Sequence, residues 1–546
     1  MLIALVQMNN VIGDIYGNKE KILKFYEKAK AEKVDIVIFP ELAVCGYTPQ
    51  DFVEKVEFRN AIERINQEIA SKTDNNTAII FGTITQRDEN VGTGVYNSAV
   101  MAFDGKIQFI QDKTLLPNYD VFDERRYFES AKSVEIFEFK DEKLGISICE
   151  DIWNDDDYWK HRKYEIDPVE TLIEKGTSLL LNISASPYGY GRRKERFEML
   201  STLTKTNKIP LAYVCTVGAQ TDLIFDGASM CYNSKGDLVK IGKKYDEDFI
   251  LFNTKENYSP IVEFEGSFGE EIISALTYGL KEYLSKTGFK KVVLGLSGGI
   301  DSAIVAFIAA NAIGKENVTA VMLPSEISSE GSIVDSEKLI KNLGINSLKI
   351  PIINGVNTIQ AELSSIFSGT EPNVAEENIQ SRLRGLYLMA LSNKFNWLLL
   401  STGNKSEIAV GYATLYGDMN GGLAVIGDVY KTQIYQLAKY INRNEEIIPN
   451  EIIQKAPSAE LKPNQTDQDT LPEYHKLDAI LTRYLEDYKE YHQIVAEVGE
   501  PDLVQKVLRW VDLNEYKRFQ APPVLRVTTK SYGYGRRFPI VQGWRK

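Results

Sequence analysis

An apolar segment at 291–296 runs directly into Ser297-Gly298-Gly299-Ile300-Asp301-Ser302, and a second apolar segment follows at 303–312. The first reads as a buried strand and the second as a helix, so the string occupies a strand–turn–helix corner. Two adjacent glycines let the backbone turn tightly, and the amides of the turn and of the helix start then face outward. With the helix dipole behind them, these groups form a site for anions. Ser297 and Ser302 add hydroxyl donors, and Asp301 offers a carboxylate to a magnesium ion beside phosphates. A bare glycine pair would be an ordinary turn with a serine cap, but the whole string in this setting is far more specific. No Gly-Lys-Ser/Thr follows, which separates it from a Walker loop.

The rest of the chain bounds what this corner can belong to. At 546 residues it is too long for one core, and two large domains are expected. A net charge of −13 argues against a uniformly basic nucleic-acid surface, while leaving room for a local phosphate pocket. The opening segment 1–8 is apolar, short and without a basic flank, so it reads as a first buried strand rather than a signal peptide. No run approaches the length of a membrane span. Four cysteines without Cys-x-x-Cys spacing disfavour a disulfide framework or a zinc site and point to a reducing cytoplasm. The three histidines, His161, His475 and His492, lack metal-ligand spacing, and their scarcity weakens any Ser-His or Cys-His catalytic scheme.

Strands are expected at 34–39, 78–81, 98–103, 106–110, 144–148 and 178–183, with Asp104-Gly105 carrying a hairpin signal between two of them. The pattern lapses at 253–267, around Pro260 and Gly266, which reads as a linker. A helix over 270–287 then opens a new βα series. Segment 444–474, rich in Pro, Asn, Gln and Asp without periodicity, reads as a long functional loop or lid.

The corner at 291–312 resembles the PP-loop of ATP pyrophosphatases, which cut ATP between the α and β phosphates. Further strings narrow the family: Glu377-Asn-Ile-Gln-Ser-Arg-Leu-Arg-Gly385, Leu398-Leu-Leu-Ser-Thr-Gly-Asn-Lys-Ser-Glu407, Gly417-Asp418, Gly427-Asp-Val-Tyr-Lys-Thr432, Ala456-Pro-Ser-Ala-Glu-Leu461 and Asp467-Gln-Asp-Thr-Leu471. In this order they resemble the NAD synthetase domain over 268–546. The resemblance implies a doubly wound, Rossmann-like parallel sheet and a loop, Gly295, Leu296, Ser297, Gly298, Gly299, Ile300, Asp301 and Ser302, that holds ATP. It further implies that Thr402 contacts the nucleotide and that Lys431 and Ser458 hold its phosphates. Glu407 would join Asp301 on Mg2+ and, with Asn378 and Lys517, reach deamido-NAD. The family usually has Asp where Glu460 stands.

In the first half, Phe39-Pro-Glu-Leu42, Asp112-Lys-Thr-Leu-Leu-Pro117 and Ile148-Cys-Glu-Asp151 each fall at the end of an expected strand. Loops there commonly carry active sites. With almost no histidine available, Glu41 is the natural base for a Cys149 nucleophile, and Lys113 the natural charge for an oxyanion. These three in these settings resemble the Glu-Lys-Cys triad of the nitrilase superfamily over 1–255, which implies an α-β-β-α sandwich. The segment from Lys113 to Glu124 resembles that of glutaminase members joined to NAD synthetases. It implies Tyr119 as a glutamine contact and Glu124 beside the triad, while Asn182-Ile-Ser-Ala-Ser-Pro-Tyr188, with Arg192-Arg193-Lys194 after it, implies Ser186 and Arg192 at the amino-acid end. An arginine on the glutamine α-carboxylate is physically apt, but no acidic partner for the amine is apparent in the sequence. Cys45, Cys215 and Cys231 read as small core residues.

The two halves together resemble the glutamine-dependent NAD synthetases. That resemblance implies small-molecule substrates (deamido-NAD, ATP and glutamine), a cytoplasmic homo-oligomer, no nucleic-acid or membrane partner, and a sheltered route for ammonia. A stand-alone amidase or nitrilase would leave the second set of strings unexplained. A PP-loop amidotransferase of the GMP synthetase kind normally pairs with a histidine-dependent glutaminase, which three histidines disfavour. A tRNA-thiolating relative is disfavoured by the acidic balance and the missing Cys-x-x-Cys pairs.

Overall fold

The structure, a computed structural model, describes residues 1–88, 91–155, 157–262 and 266–543. Contacts divide it into two compact units, Met1–Glu265 and Gly266–Lys546. Residues 263–265 of the expected linker lie outside the described residues, as do 89–90, 156 and 544–546 of the two expected domains.

In the first unit one sheet is built from β1 (Leu2–Gln7), β2 (Ile36–Ile38), β3 (Ala78–Gln86), β4 (Val95–Phe103) and β5 (Lys106–Asp112). A second uses β6 (Ile136–Phe139), β7 (Glu142–Ile148), β8 (Leu179–Ser184) and β9 (Leu211–Cys215). The chain then forms the separate hairpin β10 (Val217–Gln220) and β11 (Leu223–Asp226). It returns to the second sheet with β12 (Met230–Tyr232) and β13 (Leu238–Ile241), and to the first with β14 (Asp248–Asn253). The orders are β14-β1-β2-β3-β4-β5 and β13-β12-β9-β8-β7-β6. Asp104 and Gly105, both at positive φ, make the tight turn between β4 and β5, with Phe103 opposite Lys106.

Strand alternation sorts this unit into four layers. Ile3, Leu5, Ile36 and Ile38 meet Ile146, Ile148, Leu181 and Ile183 between the sheets. The alternate residues Ala4, Val6, Val37 and Phe39 pack on helices Ile15–Ala31 and Val56–Ser71 through Ile22, Tyr26, Ile62 and Ile69. On the far side Leu180, Leu211 and Tyr213 pack on Leu172, Met199 and Leu203. This is the α-β-β-α sandwich.

The second unit holds a parallel sheet of β15 (Val292–Gly295), β16 (Val318–Met322), β17 (Asn346–Lys349), β18 (Leu398–Ser401) and β19 (Leu423–Ala424), ordered β17-β16-β15-β18-β19. Helix Ile300–Ile313 packs on β15 and β16, and helix Val374–Phe395 on β15 and β18. Val293, Val321 and Leu399 form a core with Val356 and Leu383. The chain runs outward from β15 through β16 to β17, then crosses back to β18 and runs outward the other way to β19, so a crevice opens at the carboxyl ends of β15 and β18. That switch point is where doubly wound sheets bind ligands.

Segment 444–474 is largely irregular, as its composition suggests. It contains helix Asn450–Gln454 and a short turn of helix at Asp467–Asp469. The Lys455 ammonium bonds Glu460 at 2.7 Å, and the Glu460 carboxylate accepts from Ser332 at 2.6 Å and Ser329 at 3.0 Å. The glutamate thereby ties the segment to the start of helix Glu330–Leu343.

A buried ion pair fixes the loop after β18. Lys405 and Asp428 are both fully buried, 2.9 Å apart, and the ammonium also bonds Glu486, Thr528 and the Lys530 carbonyl at 2.7–2.8 Å. Lys405→Met strands the Asp428 charge in the interior and is expected to cost about 3–5 kcal/mol. Urea unfolding measures it, and a loss under about 1 kcal/mol would refute the assignment.

Candidate functional site

Three strand ends of the first unit bring Glu41, Lys113 and Cys149 into one buried cluster. Glu41 follows β2, where Gly82 of β3 passes so close that a Cβ there would lie 2.4 Å from Leu42 N and from Pro40 O. Lys113 follows β5, its amide bonded to the Asn97 carbonyl at 2.8 Å. Cys149 follows β7 and opens a short helical turn, Cys149–Ile152, with φ of 44°. This left-handed conformation is costly for a residue with a Cβ and is met at sharp turns that present a nucleophile. Asp151 holds the turn: its carboxylate accepts from Ile148 N at 3.1 Å, Thr114 N at 3.0 Å and Leu115 N at 2.7 Å, tying the cysteine turn to the lysine loop.

The Lys113 ammonium lies 2.7 Å from Glu41 Oε1 and 2.7 Å from Glu124 Oε1. Asn97 Nδ2 donates to Glu41 Oε1 at 2.7 Å, Ala185 N to Oε2 at 3.0 Å, and Tyr47 Oη to Glu124 at 2.9 Å. Burial alone would lower the Lys113 pKa, but Glu124 and Glu41 outweigh it and hold the ammonium well above the ordinary range. Burial, only partly offset by Lys113, pushes Glu124 up to about 7. Burial and then the Glu41 charge raise Cys149 well above the ordinary thiol range, with Lys113 opposing. The resting sulfur is therefore a thiol, and attack on a carbonyl requires a base to take its proton.

Around this cluster lie the other first-unit residues singled out in the sequence. Tyr119 Oη donates to the Glu150 carboxylate at 2.8 Å, as does Tyr164 Oη at 3.1 Å, and Lys163 sits 3.5 Å over the Tyr119 ring. Arg192, the first residue of helix Arg192–Asn207, bonds Glu195 at 2.6 Å and lies 4.8 Å over Trp153. Ser186 is buried just beyond β8, its carbonyl accepting from the Cys215 thiol at 3.9 Å. Glu150, beside the nucleophile, is a buried acid to which the sequence reading gives no task. It adjoins the nucleophile in the chain, but only the fold reveals its tyrosine donors. His161, His475 and His492 are all exposed.

In the second unit the crevice between β15 and β18 is a cavity of about 410 Å³, within the usual range for ligand pockets. Gly295, Leu296, Ser297, Asp301 and Ser302 line it from β15 and its turn. Thr402 and Glu407 line it from the loop after β18, and Asn378, Ser458 and Lys517 from elsewhere in the unit. Gly298 has φ of +77°, and a Cβ there would strike the Ser332 carbonyl at 2.6 Å, so the turn requires glycine on both counts. Gly299 caps helix Ile300–Ile313 without a side-chain bond, which leaves the helix start open to an anion. Gly298, Gly299, Ile300 and Lys431 are not on the cavity wall, and Ile300 turns into the core. Ser302 Oγ donates to the Gly299 carbonyl at 3.0 Å, and Asn378 Oδ1 accepts from Thr414 at 2.7 Å. The Lys517 ammonium bonds the Gly411 and Ala413 carbonyls at 2.6 and 2.8 Å.

Arg384, on helix Val374–Phe395, also lines this cavity. Its guanidinium donates to the Leu323 carbonyl at 3.1 Å, and burial lowers its pKa. Lys431 lies with its ammonium 2.5 Å from Asp301 Oδ2 and 3.3 Å from Glu407 Oε1. Two hard carboxylate oxygens thus converge on one cationic position. That donor set suits Mg2+, which takes one or two carboxylates and completes its octahedron with phosphate and water. Burial, with Lys431 opposing and Asp301 reinforcing, pushes Glu407 up to about 8.

Two family models match the chain in tandem, carbon-nitrogen hydrolase over residues 2–252 and NAD synthase over 272–521. A carbon–nitrogen ligase that carries its own amide-cleaving unit is the class that results. A glutamine-dependent NAD(+) synthetase from Synechocystis sp. is 45% identical, covering 99% of each chain, and one from Thermotoga maritima is 39% identical, covering 100% of this chain and 99% of its own. A solved glutamine-dependent NAD+ synthetase from Acinetobacter baumannii, in complex with adenosine diphosphate, has a TM-score of 0.78 at 37% identity over 100% of this chain and 99% of its own. The chain belongs to the glutamine-dependent NAD(+) synthetase family.

Proposed function

We infer that residues 1–255 free ammonia from glutamine and that residues 268–546 use it, with ATP, to convert deamido-NAD to NAD. At the first site Cys149 Sγ attacks the glutamine amide carbon while Glu41 takes the thiol proton and Lys113 faces the oxyanion. Collapse passes that proton to the amide nitrogen and expels ammonia, leaving a glutamyl thioester that water hydrolyses to glutamate. Tyr119, Ser186 and Arg192 hold the amino-acid end, and Glu150 receives its ammonium group.

At the second site the nicotinate carboxylate attacks the α-phosphorus of ATP and pyrophosphate leaves. Ammonia then attacks the activated carbonyl and AMP leaves. The turn from Gly295 to Ser302 cradles the phosphates, with Lys431 and Ser458, while Thr402 contacts the nucleotide. Asn378, Glu407, Lys517 and also Arg384 face the dinucleotide. Asp301 and Glu407 hold Mg2+, which when bound offsets phosphate charge. The same reading makes the enzyme a cytoplasmic homo-oligomer without a nucleic-acid partner. Among the described residues no helix is long and apolar enough to cross a membrane.

The observation that supports this division is that Glu41, Lys113 and Cys149 leave three separate strand ends yet share one buried cluster. Product analysis by mass tests it. ATP, glutamine and deamido-NAD are expected to yield NAD, AMP, pyrophosphate and glutamate, with the 15N of amide-labelled glutamine in the nicotinamide group. ADP and phosphate in place of AMP and pyrophosphate, or no label in NAD, would refute it.

A further inference from the structure

All four carboxylate oxygens of Asp301 and Glu407 are engaged within the protein. Asp301 Oδ1 accepts from Asn404 Nδ2 at 3.0 Å and Oδ2 from the Lys431 ammonium at 2.5 Å. Glu407 Oε1 accepts from the same ammonium at 3.3 Å and Oε2 from Asn404 N at 3.4 Å. The Lys431 side chain is only 3% exposed, with the Tyr474 ring 5.3 Å from its nitrogen. Its main-chain amide is anchored on Ser406 Oγ at 2.9 Å, so the pivoting part is the four-carbon stem alone.

We propose that Lys431 is a resident counter-ion that keeps divalent cations off Asp301 and Glu407 until a polyphosphate draws its ammonium away. The inference rests on the reading of that pair as the metal ligands. A free Mg2+ arriving alone would have to shed strongly held water and displace a tethered ammonium. It would also leave that ammonium buried beside a divalent ion with its own anion taken, which is the costly half of a broken buried pair. A nucleotide removes the obstacle. Its phosphates at the open start of helix Ile300–Ile313 give the ammonium another anion, and they supply the oxygens the metal lacks. Cation and nucleotide then bind with positive coupling, each strengthening the other by one factor. Lys431 thus does two tasks in turn, neutralising carboxylates before the nucleotide arrives and phosphate afterwards.

Mn2+ serves as the probe, its free concentration read from the EPR signal of the aqueous ion in titrations of the full-length protein. Without nucleotide, Lys431→Met, which keeps the stem and drops the charge, is expected to bind one Mn2+ about tenfold or more tighter than wild type. Adding Asp301→Asn to it should remove that binding, and Lys431→Arg should stay as weak as wild type. Binding by Lys431→Met no tighter than by wild type overturns the proposal. Should that variant not fold, wild type decides. Tight one-to-one Mn2+ uptake without nucleotide overturns the proposal, and protein-bound Mn2+ only with α,β-methylene-ATP supports it. If Asp301→Asn leaves the Mn2+ signal of the nucleotide complex unchanged, the metal assignment itself falls, and the proposal with it.

Discussion

Asp301→Asn is expected to abolish NAD synthesis with glutamine and with ammonium chloride alike, by on the order of 10^3-fold, while glutamine hydrolysis persists. The size follows from removing a metal carboxylate at the step where charge builds on phosphate, an effect of several kcal/mol. Both nitrogen sources fail together because activation of the carboxylate precedes amidation, whichever ammonia is used. The fold should survive, since Asp301 sits in the first turn of helix Ile300–Ile313 with its carboxylate 17% exposed. Asparagine keeps an oxygen for the Asn404 amide. Lys431 loses one of its two carboxylates but retains Glu407 at 3.3 Å. Initial rates with each nitrogen source, beside glutamate release, measure the outcome. Synthesis near the wild-type rate would place the metal elsewhere.

What the sequence disclosed and what it hid divide along physical lines. β15 and its turn are legible because a β-branched run, two glycines and an apolar helix sit side by side, and the Asp104-Gly105 hairpin is legible because the turn type demands those residues. β3 runs beyond its apolar stretch to Gln86 because pairing with β4 continues through Thr83 opposite Ser98 and Thr85 opposite Tyr96. β17 is exposed along its whole length and β19 has two residues, so neither carries a hydrophobic pattern to read. The same limit applies to the site. Residues such as Glu41 and Cys149 stand out by their strings, whereas Lys431 meets Asp301 across 130 residues and Tyr164 meets Glu150 only through a loop. Segment 444–474 is largely irregular, as its Pro, Asn and Gln suggest, while the clasp of Lys455 and Glu460 on Ser332 is a tertiary contact no local pattern contains.

Cys149→Ala is expected to lower glutamine-dependent synthesis by on the order of 10^4-fold or more, with high ammonium chloride restoring the rate. The other cysteines cannot take over, since Cys149 has both Glu41 and Lys113 acting on its sulfur, and none of Cys45, Cys215 and Cys231 has that pair beside it. Alanine brings no new backbone strain, because cysteine already carries a Cβ at φ of 44°. The loss of one sulfur at a nearly buried site costs at most a few kcal/mol. The triad partners should match the cysteine variant in activity, because the three act as one unit and their losses do not add. They differ in stability, however. Lys113→Ala leaves Glu41 and Glu124 buried on either side of a missing cation and is expected to cost about 3–5 kcal/mol. Glu41→Gln keeps an oxygen toward Lys113 and is the cleaner test of the base. Paired assays with glutamine and ammonium chloride, alongside urea unfolding, separate the effects. Loss of the ammonium-supported rate in a folded Cys149→Ala protein would contradict independent sites, and retained glutamine use would overturn the nucleophile.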